Sequence, residues 1–249
     1  MTEDEGPLFV GATCTGEAWF AVAFDGEGFD HAAVFEAIGD VWARYEEVGE
    51  RVLVDVPIGL LDGEGERPCD EHARAVLGPR SEAIVAPPVR EATRKQTYRA
   101  ATRANERVAG TELSEQAFAR APAIAAVDDL LQGVPESRDL IAEAHPEVCF
   151  RAFAGEPLQH PPTTAGGYAE RMRTLADFDH DAPPTVQYAA EAAGDAPVRV
   201  ASVLDAAAMA YTARPGPGDL RRLPPEPSLD ERGLAMQLTY RAASALPAP

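Results

Sequence analysis

Two acidic residues stand at the ends of short apolar segments, where a carboxylate could act on a ligand. Asp55 is the only charge in residues 52–56, a continuous apolar run typical of a parallel strand that is covered on both faces. Glu143 ends the shorter apolar run of residues 140–142 in the same way. Ligands of open α/β sheets bind beyond the carboxyl ends of the strands, so both carboxylates are candidates for a site.

A third carboxylate lies in a segment that is otherwise apolar. Between Arg199 and Arg214 the only formally charged residue is Asp205, and residues 199–213 have the pattern of a helix that is packed between layers. Burying an unpaired carboxylate costs several kcal/mol, so Asp205 should be hydrogen-bonded, paired with a cation or bound to a metal. It could point toward the strand ends that carry the other two carboxylates.

These carboxylates also have a structural interpretation. Arg67, Asp70 and Arg74 follow Asp55 in a segment rich in polar groups, and Asp55 could cap a turn or pair with one of these arginines. Glu143 and Asp205 could form structural pairs in the same way. Because perturbed carboxylates serve both purposes, the residues alone favour neither interpretation.

Glu143, His145 and Glu147 alternate along the chain, but Pro146 interrupts a regular strand, which predicts a turn at a strand end. In that turn His145 could act as a general base or orient a phosphate. We favour a hydrogen bond to the backbone instead, because nothing in the sequence supplies a nucleophile for this histidine.

Several separate motifs, in this order, resemble those of the domain-of-unknown-function 429 family, whose members are predicted ribonuclease H-like nucleases. The motifs are Val54–Leu60, Arg67–Asp70 with Ala73–Arg74, Glu143–Phe150, Gly167 with Arg171, Leu204–Ala206 and Gly233–Met236, which together span nearly the whole chain. The resemblance implies an α/β fold: a ribonuclease H-like mixed sheet flanked by helices, with a helical insertion at about residues 60–135. No low-complexity linker divides the 249 residues, so we expect one domain over residues 1–249.

The resemblance also implies a chemistry. Ribonuclease H-like enzymes use carboxylates from strand ends and a helix to hold a divalent metal for phosphodiester cleavage. It therefore implies that Asp55, Glu143 and Asp205 are catalytic and bind Mg²⁺ or Mn²⁺. The substrate is expected to be nucleic acid or another phosphoester, and the implied substrate-binding residues are Arg67, Asp70, Arg74, His145, Glu147 and Arg171.

The sequence departs from the family pattern at several positions, including a basic residue lost ahead of Gly167 where Pro161 and Pro162 stand. Thr13 stands where the first strand of the family carries an acid, and a neutral oxygen is a far weaker ligand for a hard divalent ion. Ala201 and Ser202 stand where relatives carry acids before the retained Asp205. With fewer carboxylates, a site for two metal ions is a weaker interpretation. The alternative to a nuclease is a catalytically degenerate domain that binds a ligand or a protein.

The most basic stretch of the chain gives a further candidate for substrate binding. Its members are Arg90, Arg94, Lys95, Arg99, Arg103 and Arg107, and the last three arginines recur every four residues. This stretch could follow a phosphate backbone. Glu91 and Glu106 interrupt it, so a solvated face that pairs with acidic neighbours is at least as good an interpretation.

The composition is strongly acidic. Asp and Glu total 41 against 22 Lys and Arg, a net charge of −19, and Lys95 is the only lysine. We expect such a protein in a salt-rich, haloarchaeal-type cytoplasm. At about 1 M ionic strength the Debye length is roughly 3 Å, so long-range repulsion is screened. The net negative charge therefore neither supports nor excludes a polyanionic substrate. Residues 1–6 are acidic where a secretory signal would be basic, and no run is as long as a membrane span. We therefore expect a cytoplasmic protein without a membrane partner.

Hydrophobic patterning predicts an antiparallel start followed by alternating helices and strands. The predicted strands are residues 8–10, 18–24, a short segment near Phe29, 52–56 and 140–142, and residues 234–240 are a terminal strand or an ordered tail. The predicted helices are residues 31–47, a segment from Arg74 onward, 90–107, 114–131, 165–177, 185–193 and 199–213. The Pro-rich segment 215–227 is predicted to be a surface connection.

Overall fold

The computed structural model of the protein describes residues 6–16 and 18–247. Its strands are β1 (Leu8–Cys14), β2 (Trp19–Phe24), β3 (Phe29–Phe35), β4 (Gly49–Val54), β5 (Ile141–Glu143), β6 (Asp219–Leu229) and β7 (Ala235–Ala242). Its helices are α1 (Ile38–Tyr45), α2 (Pro68–Leu77), α3 (Arg90–Thr93), α4 (Tyr98–Ala109), α5 (Glu115–Gly133), α6 (Ser137–Leu140), α7 (Pro146–Ala154), α8 (Ala165–Phe178), α9 (Ala182–Ala192) and α10 (Val200–Ala213), with a 3-10 helix at Gly78–Ala83. The expectation about a secretory signal concerns residues 1–6, of which residues 1–5 lie outside the described residues.

A five-stranded mixed sheet forms the centre of the fold. Its order is β3-β2-β1-β4-β5. β1, β2 and β3 pair antiparallel, whereas β1, β4 and β5 pair in parallel. The parallel strands therefore end at the same edge, and the α/β class with a mixed sheet is confirmed.

Both faces of the sheet are covered because its central strands are apolar on both sides. On β2, Phe20 and Val22 belong to the core cluster that contains α10, while Ala21 on the opposite face belongs to the cluster that contains residues of α1 and α5. This alternation follows from the two-residue period of a strand. α2 to α6 lie between β4 and β5, where the sequence predicts the helical insertion. Within residues 6–16 and 18–247, no helix has both the length and the apolar character that a membrane crossing requires.

Two secondary-structure predictions were wrong in type. The helix predicted at residues 31–47 begins only at Ile38, because the preceding segment pairs with β2 as the edge strand β3. The Pro-rich segment 215–227 is largely strand β6 and not a surface connection. Its prolines fall where the pairing register with β7 shifts, between Leu223 and Ser228, so they remove no ladder hydrogen bond.

Other boundaries differ in detail. The helix predicted at residues 90–107 is divided into α3 and α4, because the Thr97 hydroxyl caps a new helix by accepting from the backbone of Ala100. The turn predicted around His145 continues into α7, with Pro146 at the first helical position. The terminal strand is confirmed as β7.

Candidate functional site

Asp55 directly follows β4, and the end of the neighbouring strand β1 holds its carboxylate. The Thr13 hydroxyl donates to Oδ2 of Asp55 over 2.7 Å, and the backbone N–H of Cys14 donates to Oδ1 over 3.1 Å. The parallel register, which pairs Ala12 with Val54, brings these groups together. The predicted position of Asp55 at a strand end is therefore confirmed, and its orientation is fixed by neutral donors.

Arg120 on α5 is the cation nearest this carboxylate, and the sequence analysis missed it. Its Nη2 lies 3.7 Å from Oδ2 of Asp55 and also donates to the backbone carbonyl of Asp55. The side chain is 38 % exposed and lines the cleft beside Asp55. One signal could have found it, since Arg120 is the only basic residue in α5.

The packing of α10 carries Asp205 toward the same edge of the sheet. The backbone of α10 lies directly on β1, and a Cβ on Gly11 would be only 2.2 Å from the carbonyl oxygen of Ala206. Tyr211, farther along α10, packs on Phe24 with a centroid distance of 4.6 Å, next to the start of β1. The helix therefore runs antiparallel to β1, and Asp205 lies toward the end where Asp55 is held.

The Asp205 carboxyl is half-buried, and its environment disfavours the charged form. Burial, together with the negative charges of Asp55 and Glu147, raises the pKa of Asp205 to about 8 against the opposing effects of Arg171 and Arg120. Within residues 6–16 and 18–247, no hydrogen bond or ion pair of the protein reaches this carboxylate. Asp205 and Asp55 are thus two acids that repel each other at one end of the sheet.

Glu143 follows β5 and has a structural partner. Its Oε2 accepts from the backbone N–H of Ile58 over 2.7 Å and from Nη2 of Arg67, which is only 1 % exposed. Arg67 also donates to the carbonyl of Ile58 and lies 3.4 Å from Asp70. Burial and the charge of Asp70 raise the pKa of Glu143 to about 7 despite Arg67. This ion pair corresponds to the structural interpretation of Glu143.

Asp55 and Glu143 border one small cleft, and its other charged or titratable lining residues are Asp70, Arg120 and His145. Asp205 lies outside that lining, although its charge interacts with that of Asp55. Over the described part of the chain, no three His, Cys, Asp or Glu side chains group closely enough to hold a metal ion. The three predicted metal ligands therefore do not form one closed cluster.

The other predicted substrate-binding residues are engaged within the protein. Nδ1 of His145 accepts from the backbone of Glu147 over 3.2 Å, which caps α7. Burial lowers the pKa of His145 to about 4, and the nearby charge of Arg120 contributes. Glu147 forms a buried ion pair with Arg171, and Arg74 pairs with Glu66. These contacts favour structural roles for His145, Glu147 and Arg171.

Four of the six residues of the basic stretch are paired with acids. Arg90 contacts Asp62, Asp128 and Asp230, and Arg94 contacts Asp128 and Asp129. Lys95 and Arg107 both pair with Glu91. These pairs favour the interpretation as a structural and solvated face over that of a surface for phosphates.

The chain was compared with family models, curated proteins and solved structures. The family model described as a protein of unknown function (DUF429) matches residues 14–229. No curated protein and no solved structure matches the chain.

Proposed function

The chain belongs to the domain-of-unknown-function 429 family, and we propose that it is a metal-dependent phosphodiesterase with a ribonuclease H-like fold. The observation that supports this proposal is the placement of Asp205 on α10 toward the strand end where Thr13 and Cys14 hold Asp55. Arg120, which is partly exposed and lines the same cleft as Asp55, is the proposed partner of a phosphate. Nucleic acid or another phosphodiester is the proposed substrate.

Asp55 and Asp205 are the proposed ligands of one Mg²⁺ or Mn²⁺. Mg²⁺ is often bound by one or two carboxylates together with water and substrate phosphate, so a closed cluster of three protein ligands is not required. Two repelling acids, one of them without a cation partner among the described residues, form a donor set that fits a single divalent ion. A bound ion would polarise a phosphoryl oxygen and lower the pKa of a water molecule. Glu143 is excluded from the proposed ligands because Arg67 already neutralises it.

The protein's own residues have separate roles in this proposal. Thr13 and the backbone of Cys14 orient Asp55, so that its oxygens need no rearrangement when a ligand arrives. Arg120 binds a nonbridging phosphate oxygen. His145 holds the start of α7, and because it is neutral near pH 7 it is not the proton donor.

One observation favours a second candidate, a degenerate domain that binds a ligand or protein without catalysis. A hydroxyl, not a carboxylate, faces Asp55 from β1, and Ala201 and Ser202 supply no acids on α10. A domain of this kind would keep the cleft and lose metal binding. The two candidates therefore differ in one measurable property.

The deciding experiment is a Mn²⁺ titration by calorimetry, in dilute buffer and in molar KCl, on the native protein and on Asp55→Asn and Asp205→Asn. Asp195→Asn is the matched control, since Asp195 is exposed and distant in sequence from the cleft. Stoichiometric binding that both site variants lose and the control keeps would support the phosphodiesterase. Absence of binding in the native protein would favour the degenerate domain. Hydrolysis of bis(p-nitrophenyl) phosphate with Mn²⁺ then tests turnover.

A further inference from the structure

A larger hollow adjoins the cleft of Asp55, between α2 and the turn that joins α4 to α5. We call it the insertion pocket. Its volume is about 380 Å³, which lies within the range of small-molecule sites. Its apolar walls are formed by Leu61, Val85, Pro87, Val89, Ala109 and Leu113. The pocket therefore offers an apolar slot large enough for a ring system.

Two buried polar side chains, Arg67 and Asp70, also line this pocket. They are 1 % and 4 % exposed. Arg67 uses Nη2 on Glu143 and Ile58, but Nε and Nη1 of Arg67 and Oδ2 of Asp70 have no hydrogen-bond partner in the part of the chain that the structure describes. Buried donors and acceptors are rarely left unpaired, so these atoms indicate a missing polar partner.

The charges around the pocket favour a neutral partner over a phosphate. Arg67 is already matched by the carboxylates of Asp70 and Glu143, so this group carries no surplus positive charge. Arg74 and Glu66 also line the pocket and pair with each other, so neither adds a surplus charge. Glu112, which has no ion pair among the described residues, would repel an anion. A neutral planar heterocycle with donors and acceptors on its edge would satisfy both the apolar walls and the polar atoms.

The insertion pocket adjoins the proposed reaction site. Asp70, Val85, Ala86 and Pro87 line both the insertion pocket and the cleft that contains Asp55. The first turns of α5 run between them: Ser114 lines the insertion pocket and Arg120 lines the cleft, six residues or about 9 Å apart along a helix. The pocket and the cleft are therefore neighbours along the first turns of α5.

We infer that the insertion pocket binds a nucleobase, whose phosphate then lies at Arg120 and Asp55. The inference rests on the proposed phosphodiesterase and narrows its substrate to nucleotides or nucleic acid. Arg67 and Asp70 recognise the edge of the base, and the apolar walls cover its faces. The sugar between base and phosphate then lies along residues 85–87, which line both the pocket and the cleft.

The test uses uncharged nucleosides, which need no metal. Adenosine, guanosine, cytidine and uridine are titrated by calorimetry into the native protein in chelator, with ribose as the probe that lacks a base. We expect at least one nucleoside to bind and ribose not to bind. Binding of no nucleoside up to millimolar concentration, or equal binding of ribose, would overturn the inference.

Two variants locate the binding. Thr111→Trp places a large ring at an exposed residue that lines the insertion pocket and should weaken nucleoside binding by at least about tenfold. Thr163→Trp is the matched control, an equally exposed threonine in the loop before α8. Asp70→Asn exchanges an acceptor for a donor and should change the order of preference among the four nucleosides. Unchanged binding in both pocket variants, with circular dichroism showing that they fold, would contradict the site.

The same proteins separate this inference from the proposed function. Nucleoside binding without Mn²⁺ binding would contradict the proposed phosphodiesterase and support the nucleobase site. Mn²⁺ binding that depends on Asp55, without nucleoside binding, would support the proposed phosphodiesterase and contradict the nucleobase site.

Discussion

The hydroxyl of Thr13 donates a 2.7 Å hydrogen bond to Oδ2 of Asp55 and thereby joins the ends of two parallel strands. Thr13 is only 2 % exposed, so water cannot readily replace this donor. The first prediction concerns Thr13→Val, which keeps the shape of the side chain and removes the hydroxyl. We expect it to lower the free energy of unfolding by about 1–3 kcal/mol, because a carboxylate oxygen loses its partner.

Thr13→Ser is the control for that variant, since it keeps the hydroxyl and loses one methyl group. Urea denaturation of the three proteins should place the serine variant nearer to the native protein than the valine variant. A valine variant as stable as the native protein would mean that the hydrogen bond adds nothing to stability.

A second substitution at the same position tests the metal site. Thr13→Asp would place a carboxylate beside Asp55, which destabilises the metal-free protein through like-charge repulsion. We expect the same change to strengthen Mn²⁺ binding, because it adds an oxygen ligand with a negative charge. The melting temperature measured with and without Mn²⁺ should therefore rise more in the variant than in the native protein. An equal rise in both would show that residue 13 lies too far from the ion.

The buried pair of Arg67 and Glu143 gives a third prediction. Arg67→Met leaves Glu143 buried without its cation, and we expect a loss of about 3–5 kcal/mol. In the double variant, Glu143→Gln should recover part of this loss because the unpaired charge is removed. Urea denaturation of the two single variants and the double variant measures the coupling energy.

Glu143→Gln also distinguishes two from three metal ligands. If only Asp55 and Asp205 bind the ion, this variant keeps the Mn²⁺ affinity of the native protein. If Glu143→Gln loses as much Mn²⁺ affinity as Asp55→Asn does, Glu143 is a third ligand of the ion.

Part of this site could be predicted from the sequence because strand ends leave a local signal. An apolar run that terminates in an acid places Asp55 and Glu143 at one edge of the sheet, and the apolar pattern of α10 indicates that Asp205 is packed inside. What the pattern cannot supply is the partner of each carboxylate. The Arg67 to Glu143 pair joins residues 76 positions apart, and the bond from Thr13 to Asp55 spans 42.

The two wrong secondary-structure predictions have a similar origin. Val34 and Phe35 continue the helical spacing of α1, but pairing with β2 decides their conformation. Proline density predicts a loop at residues 215–227, whereas the register shift in the hairpin accommodates the prolines within a strand. In both cases a neighbouring strand, distant from the local pattern, outweighs intrinsic preference.

The raised pKa of Asp205 predicts a pH dependence of stability. Its pKa rises from an ordinary value of 3.8 to about 8, so between these values the folded protein holds a proton that the unfolded chain releases. The contribution of Asp205 to stability therefore falls as the pH rises from about 4 to about 8. Asp205→Asn removes this dependence. We therefore compare the free energy of unfolding of the variant with that of the native protein, both in chelator. The difference in favour of the variant should be larger at pH 8.5 than at pH 4.5 by about 2 kcal/mol.

Asp195→Asn serves again as the exposed control and should show no such difference. Saturating Mn²⁺ should reduce the advantage of Asp205→Asn at high pH, because an ion stabilises the charged carboxylate. Identical pH profiles for the native protein and Asp205→Asn would mean that the carboxyl is fully hydrated.

His145 predicts a pH dependence of the opposite sign. Burial and Arg120 lower its pKa from 6.5 to about 4, so between these values the unfolded chain binds a proton that the folded protein excludes. The contribution of His145 is therefore present above pH 6.5 and is lost as the pH falls toward 4. His145→Asn keeps an N-cap acceptor for α7 and removes the titration, so from pH 7 to pH 4.5 it should lose about 1–3 kcal/mol less stability than the native protein. His180→Asn, at an exposed histidine, is the control in the same denaturant series. If the stability of His145→Asn depends on pH as that of the native protein does, groups other than His145 cause the acid sensitivity.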